Sequence, residues 1–446
     1  MYEQLSSLAN RATAAAIPVD RPRRSFGAQQ VAWAILLTAL TLTIVEGAIR
    51  KWLIGSAFQP SSYLAYFSKD IVFALLLFLP RQSHFSAPLE IFRRWLVPGC
   101  FLLICGVISS SLENISVAGT ILTLRAALIL PLLAFFIVSR LRGMPLSWVV
   151  CLLGIFTMVN FALGVYQNHL PASHALNRYA TEAADIATSP TGVRATGTFS
   201  YITGLAVFSV VGVWSGMVCL SLARDLRQQI FGGAALVAGI ACALASVSRG
   251  PILIAAIMLL VWLIFSGFWA GKKTRTIAAV IALFTIAVFL DLSAIFFNLG
   301  QELRLRAETS NDTVNERALA QFDEALEVLK LAPFGNGLGT EQVGRSAYSA
   351  GQLAQTTFES QLPRIILELG VLGLLGFMSI GAGAVAALPV AKRYCKSSDE
   401  KAALLATQLF LLSSLLSNII FNHVASAFAW LIFTAVMAAL PSERRE

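Results

Sequence analysis

The chain has 446 residues, of which 57% are hydrophobic and 13% are charged, whereas soluble domains carry about a quarter of charged residues. Its net charge of +9 does not indicate nucleic-acid binding, because the basic residues lie mostly in short loops between apolar runs. The six cysteines are scattered without a CxxC pair, which argues against a disulfide framework or a zinc site. The composition therefore excludes a soluble protein and predicts a helical membrane protein.

Apolar runs of about 17–25 residues recur along the chain, and each is long enough to cross a bilayer as a helix. We predict an all-α polytopic fold with about twelve transmembrane helices. The expected spans are 28–46, 62–80, 95–110, 116–139, 146–167, 200–222, 231–247, 251–269, 276–298, 362–388, 401–421 and 424–440. They form one transmembrane domain, 28–440, between tails 1–27 and 441–446.

The basic residues in the short loops predict the orientation of these helices. One side of the membrane holds Arg21–Arg24, Arg81, Arg93, Arg94, Arg140, Arg142, Arg224, Arg227, Lys272, Lys273, Arg275, Lys392, Arg393 and Lys396. In short loops on the other side we find only Arg50, Lys51 and Arg249. The first side is cytoplasmic by the positive-inside rule, so both termini are expected there. The two larger loops, 168–199 and 299–361, are expected outside.

Arginines on the outer side are candidate anion ligands. Arg249 stands alone in "SVSRGPIL", and a lone charge between two spans is costly without a partner or ligand. Arg194 lies in "GVRATGTFSYITG", where the chain enters the sixth span. The other outer arginines are Arg50, Arg178, Arg304, Arg306, Arg317, Arg345 and Arg364. Arginine grips phosphate through a planar fork, although arginines in loops are also commonly solvated or paired with acids.

The second outer loop predicts an amphipathic helix that lies over the membrane domain. Phe322, Leu326 and Leu329 form an apolar stripe, and the glycine-rich "PFGNGLG" follows. Arg317 falls in the first turn, where the helix dipole favours an anion.

Several carboxylates lie at or inside the spans. Glu359 precedes a span on the outer face, where it is either a general base or a solvated acid that favours the helix dipole. Glu368 is a possible buried partner of Arg364, four residues earlier. Asp70 and Arg125 form either an internal ion pair or part of a lateral lipid entrance.

Other chemistries find no support in the sequence. The four histidines show no metal-ligand spacing, and no P-loop, dinucleotide fingerprint or nucleophile elbow is present. We therefore predict no metal, no cofactor and no nucleotide-driven step.

Five stretches, in this order, are similar to one known family. They are "EGAIRKWL" (46–53), "NRYATEAADIATSPTGVRATGTFSYITGL" (177–205), "SVSRGPIL" (246–253), "ERALAQFDEALEVLKLAPFGNGLG" (316–339) and "ESQLPRIILELGVLGLLG" (359–376). Together they resemble the O-antigen ligase / Wzy-type polysaccharide polymerase superfamily of bacterial inner membranes. The resemblance implies a GT-C-like membrane enzyme with a periplasmic active site.

The resemblance also implies a reaction and roles for particular residues. Members transfer a glycan from undecaprenyl pyrophosphate to an acceptor hydroxyl, without metal or ATP. The pyrophosphate and substrate ligands implied here are Arg194, Arg249, Arg317, Arg345, Arg364 and Arg50. Glu359 would be the base, and it stands where the ligases carry histidine, which favours polymerase over ligase to lipid A core.

Three functions remain open from the sequence. The first is a polymerase that joins lipid-linked repeat units into a surface polysaccharide or exopolysaccharide. The second is a ligase that moves finished glycan to another acceptor. The third is a transporter or flippase, which we expect to show repeats and charged or broken helices at mid-membrane. Expected partners are undecaprenyl-pyrophosphate-linked oligosaccharide, membrane lipids, and a flippase and chain-length regulator, with no nucleic acid.

Overall fold

A computed structural model describes most of the chain, and its described part is helical. The described residues are 26–55, 60–80, 86–110, 117–141, 143–180, 186, 188–189, 192–265, 314–338, 361–417 and 422–440. Their α-helices are α1 (Phe26–Ala48), α2 (Pro60–Leu75), α3 (Ala87–Ser109), α4 (Val117–Leu124), α5 (Leu130–Val138), α6 (Leu146–His169), α7 (Ile202–Leu222), α8 (Leu226–Ala245), α9 (Arg249–Phe265), α10 (Val314–Leu331), α11 (Gln361–Ala391), α12 (Ser398–Ser417) and α13 (His423–Ala439). A short antiparallel pair, β1 (Thr188–Ser189) and β2 (Gly192–Val193), lies in the first predicted outer loop.

The chain is a polytopic helical membrane protein. Within the described part, eight helices are long and apolar enough to cross a membrane: Gln29–Ile54, Pro60–Phe78, Ala87–Ser109, Thr120–Val138, Leu146–His169, Ile202–Leu222, Leu226–Ala245 and Gln361–Tyr394. Two shorter apolar helices are Gly250–Phe265 and His423–Ala439. The predicted span 276–298 lies outside the described residues, so the total of twelve stays a prediction.

Two predicted boundaries were wrong. The helix expected at 95–110 begins already at Ala87, so Arg93 is helical and pairs with Glu90 at 2.8 Å. The first span continues beyond 46 through a π-helical segment, Ile49–Ile54, because the polar residues there find partners inside the protein. Arg50 and Lys51 are therefore buried in a helix instead of lying in a short loop.

The alternating direction of the helices gives the bundle two chemically different ends. The end that we call the basic end holds Arg93, Arg94, Arg140, Arg224, Arg227, Lys392, Arg393 and Lys396. A cavity at this end is lined by Met144, Leu222, Cys395 and Leu440, each of which lies at or near the end of a helix. The opposite end, which we call the site end, holds Arg50, Arg194 and the start of α9.

A glycine lock fastens α10 to α11 at the site end. Gly370 interrupts α11 with φ 67° and ψ −169°, a conformation open essentially to glycine alone. Backbone groups on both sides of this break bond to the turn after α10. Val371 N–H donates to Pro333 O at 3.0 Å, and Asn336 N–H donates to Leu367 O at 2.6 Å. A Cβ at position 370 would lie 2.5 Å from the carbonyl carbon of Phe334.

We therefore expect Gly370→Ala to lower the free energy of unfolding by at least about 1–3 kcal/mol, because it adds backbone strain and a clash. Thermal unfolding of the detergent-purified protein measures this. Gly27→Ala is the matched control, because a Cβ at Gly27 meets nothing within 4 Å. Equal melting temperatures for both variants would contradict the lock.

Candidate functional site

The loop 194–200, "RATGTFS", is the centre of the site end, and side chains of α6 hold its backbone. The Gln167 side-chain oxygen accepts from the N–H groups of Thr196 at 3.1 Å and Gly197 at 2.8 Å. The Asn160 side-chain oxygen accepts from the Thr198 N–H at 2.8 Å. Gln167 and Asn160 are fully buried, so these bonds are shielded from water and the loop is rigidly placed.

Lys51 holds the same loop from the side of α1. Its Nζ donates to Thr196 Oγ1 and to Gly197 O, each at 2.8 Å, and the side chain is 2% exposed. The loop can come this close because Gly47 has no side chain: a Cβ there would overlap the backbone between Phe199 and Ser200. The "EGAIRKWL" stretch thus supplies both the space and the cation that position the loop.

Arg194 links the loop to the turn between α8 and α9. Its Nε donates to Ser246 O at 3.1 Å, and its Nη2 donates to Ser248 Oγ at 3.3 Å. Between these serines, Val247 has φ 52°, which is a strained conformation for a β-branched residue. Strain of this kind persists only where surrounding contacts enforce it, and it clusters at functional sites. The hydrogen bonds from Arg194 are contacts of this kind, and the turn that they hold lies directly before Arg249.

Arg249 is the first residue of α9, and the structure describes its backbone but not its side chain. A cation at the positive end of a helix dipole is unfavourable by itself. The same backbone N–H groups and a guanidinium together suit an anion. The structure therefore brings two of the predicted arginines, Arg194 and Arg249, to one turn.

Helix α10 confirms the predicted outer-loop helix and corrects its packing face. Ala325 and Val328 are buried against Ile366 of α11, whereas Phe322 and Leu326 are more than half exposed. Of the predicted stripe, Leu329 packs against this contact, whereas Phe322 and Leu326 do not.

The structure describes only some of the remaining predicted site residues. Arg317 is in the first turn of α10 as predicted, with its side chain outside the description. Arg364 is buried at 7% exposure in α11. Glu359, just before α11, and Arg345 lie outside the described residues.

Glu368 lies at the α11–α4 contact and is fully buried. Its carboxylate accepts a hydrogen bond from the Thr123 hydroxyl at 2.8 Å. The carboxylate thus ties α11 to α4 beside the glycine lock, and its pairing with Arg364 stays a prediction.

A buried ionic group, which we call the Tyr66 cluster, consists of Glu46, Arg50, Lys69, Asp70 and Arg125 around the Tyr66 ring, with His423 beside it. Glu46 bridges Arg50 at 3.0 Å and Lys69 at 2.7 Å. Arg125 forms a fork with both oxygens of Asp70, at 2.6 and 2.8 Å. The first alternative drawn for Asp70 and Arg125, an internal ion pair, is therefore confirmed.

Sequence reasoning missed Glu46, Lys51, Tyr66 and Lys69. The available signal was position: Lys69 lies inside the apolar helix Pro60–Phe78, and ionisable residues inside a span are rare unless they have a function. Among the described residues, no group of three His, Cys, Asp or Glu side chains is arranged to hold a metal ion.

Comparison with known proteins gives one family. The family model described as O-antigen ligase matches residues 234–378, which contain the α8–α9 turn, α10 and the glycine lock. No curated protein matches the chain. The match includes three of the five stretches on which the sequence resemblance was based, 246–253, 316–339 and 359–376. It confirms that resemblance, and residues 234–378 carry a domain of the O-antigen ligase / Wzy-type superfamily.

Proposed function

We propose that this chain is a polysaccharide polymerase of the bacterial inner membrane. It transfers a glycan from undecaprenyl pyrophosphate to a hydroxyl of an incoming lipid-linked repeat unit, on the periplasmic face. The observation that carries the proposal is Arg194 bonded to the turn that begins α9 at Arg249. This places two guanidinium-bearing residues and a helix N-terminus at one point of the bundle.

The orientation follows from the basic end. Short loops rich in lysine and arginine face the cytoplasm in helical membrane proteins. The basic end therefore faces the cytoplasm in our proposal, and the site end faces the periplasm, together with loops 168–199 and 299–361.

Arg194 and Arg249 stabilise the departing diphosphate. As the bond between the anomeric carbon and the phosphate oxygen breaks, negative charge develops on the diphosphate. Guanidinium groups and helix N–H groups, already in place, stabilise this charge without reorganisation. Arg317, at the start of α10, joins them as a further ligand of the substrate.

Glu359 is the base. It takes the proton of the acceptor hydroxyl as the oxygen attacks the anomeric carbon from the face opposite the diphosphate, and the configuration inverts. The glycine lock supports this role, because it fixes the first turns of α11, which directly follow Glu359. Diphosphate is a good leaving group, so the step uses no metal and no ATP.

Reconstitution distinguishes the candidate functions. Purified protein in liposomes is given a synthetic undecaprenyl-pyrophosphate-linked repeat unit, without metal or ATP. A ladder of longer lipid-linked glycans is expected for the polymerase. A single product on a different acceptor would establish a ligase, the function in the name of the matching family model. Movement across the membrane without a new glycosidic bond would establish a transporter.

We expect Glu359→Gln to insert and fold yet to form no polymer, because the amide cannot accept the hydroxyl proton. The glycan ladder and the melting temperature are measured together. Glu327→Gln, which changes an exposed acid of α10, is the matched control and should keep wild-type activity. A wild-type ladder from Glu359→Gln would remove this residue as the base.

We expect Arg249→Ala to raise the apparent KM for the lipid-linked donor about tenfold or more, because one charged contact to the diphosphate is lost. Initial rates against donor concentration measure this. Arg93→Ala, at the basic end, is the control and should leave the KM unchanged. Unchanged kinetics in Arg249→Ala would leave this arginine with a structural role only.

A further inference from the structure

We propose that the Tyr66 cluster is a second anion site, which binds the phosphate headgroup of the acceptor lipid. The inference rests on the proposed polymerase function, in which donor and acceptor both carry a diphosphate. It concerns different helices from the Arg194 turn. The cluster is built from α1, the π-helical segment Ile49–Ile54, α2, the start of α13 and the π-helical segment Arg125–Ile129 between α4 and α5.

The buried groups of the cluster carry more positive than negative charge. Three cations, Arg50, Lys69 and Arg125, face two carboxylates, and the side chains of these cations are at most 7% exposed. Excess buried charge is costly in a membrane bundle, and a bound anion would offset that cost.

Cations and nitrogen atoms without a partner among the described residues surround the Tyr66 ring. The cations of Lys69, Arg50 and Arg125 lie 4.3, 5.5 and 5.6 Å from the Tyr66 ring centroid. Arg125 is 3% exposed, yet its Nη1 has no hydrogen-bond partner within the described part of the chain. His423 Nε2 is likewise buried without a partner there, and its ring lies 4.7 Å from that of Tyr66. Phosphate oxygens would accept hydrogen bonds from Arg125 Nη1, which is unpartnered among the described residues.

The backbone that carries the two arginines is π-helical at both places. Arg50 lies in the π-helical segment Ile49–Ile54, and Arg125 begins the π-helical segment Arg125–Ile129. Such segments are rare, and they frequently occur at functional sites. Both guanidinium groups lie close to the same Tyr66 ring, at 5.5 and 5.6 Å from its centroid.

The cluster is also connected to the transfer site. Arg50 Nη1 donates to Glu46 and lies 3.3 Å from Ser200 Oγ, at the end of the 194–200 loop that begins with Arg194. A headgroup at Tyr66 and a diphosphate at Arg194 would therefore lie on the two sides of one rigid loop. This arrangement suits two lipid-linked substrates that meet between them.

The number of lipid diphosphates bound by the full chain tests the proposal. The probe is geranylgeranyl diphosphate, titrated calorimetrically into the protein in nanodiscs, with geranylgeraniol as the uncharged control. We expect two equivalents for the wild type. The double variant Asp70→Asn, Arg125→Gln should bind one equivalent, with affinity for the second weakened about tenfold or more. This double variant removes both charges of a pair, so no uncompensated buried charge remains.

The matched control is Glu90→Gln, Arg93→Gln, which removes an exposed ion pair at the basic end and should still bind two equivalents. Melting temperatures establish that both double variants are folded. A wild-type stoichiometry of one, or two equivalents in Asp70→Asn, Arg125→Gln, would overturn the second site. Inorganic pyrophosphate should compete only weakly, and competition equal to that of the lipid would overturn the lipid assignment. If polymer still forms when the stoichiometry fails, the proposed function survives without this site.

Discussion

Buried positive charge governs the site end of this protein. Lys51 and Lys69 are at most 2% exposed, inside helices long and apolar enough to cross a membrane. Such charges are tolerated only when oxygen atoms or counter-charges surround them. In this chain, Lys51 is met by the 194–200 loop and Lys69 by the Glu46 carboxylate. Because both lysines need such partners, their contacts hold the 194–200 loop against α1 and hold α2 against α1.

The placement of that loop then determines the chemistry that the site end can support. One end of the loop carries Arg194 to the strained turn at Val247, and the other end brings Ser200 to Arg50. The glycine lock fixes α10 and the start of α11 on the same side of the bundle. Cationic groups, a helix N-terminus and the segment leading into α11 thus come from parts of the chain far apart in sequence. The rigidity of the surrounding contacts suits a reaction that relies on electrostatic stabilisation and alignment.

Much of this fold could be predicted, because hydropathy alone determines where helices cross a membrane. The span expected at 200–222 is Ile202–Leu222, and the span expected at 424–440 is His423–Ala439. These ends coincide with clear changes from apolar to polar sequence. Arg194 and Arg249 were singled out from the sequence by their positions beside apolar runs, and their role as anion ligands stays a prediction.

The contacts that define the site could not be predicted. Lys51 bonds to Thr196, 145 residues away, and no local pattern indicates such a pairing. The Tyr66 cluster could not be predicted for the same reason, because Arg125 and Asp70 are 55 residues apart and meet only through helix packing. The packing face of α10 was predicted only in part: Leu329 packs against α11, whereas the larger Phe322, which dominates the hydrophobic pattern, is more than half exposed.

The most direct measurement is a cryo-electron microscopy structure of the chain in nanodiscs with a polyprenyl diphosphate bound. The central claim is that the arginines of the site end bind the diphosphate at the periplasmic surface. We expect diphosphate density next to Arg194 and the first turn of α9, with the lipid tail between helices. Diphosphate density at the basic end, beside Arg140 or Lys392, would contradict it.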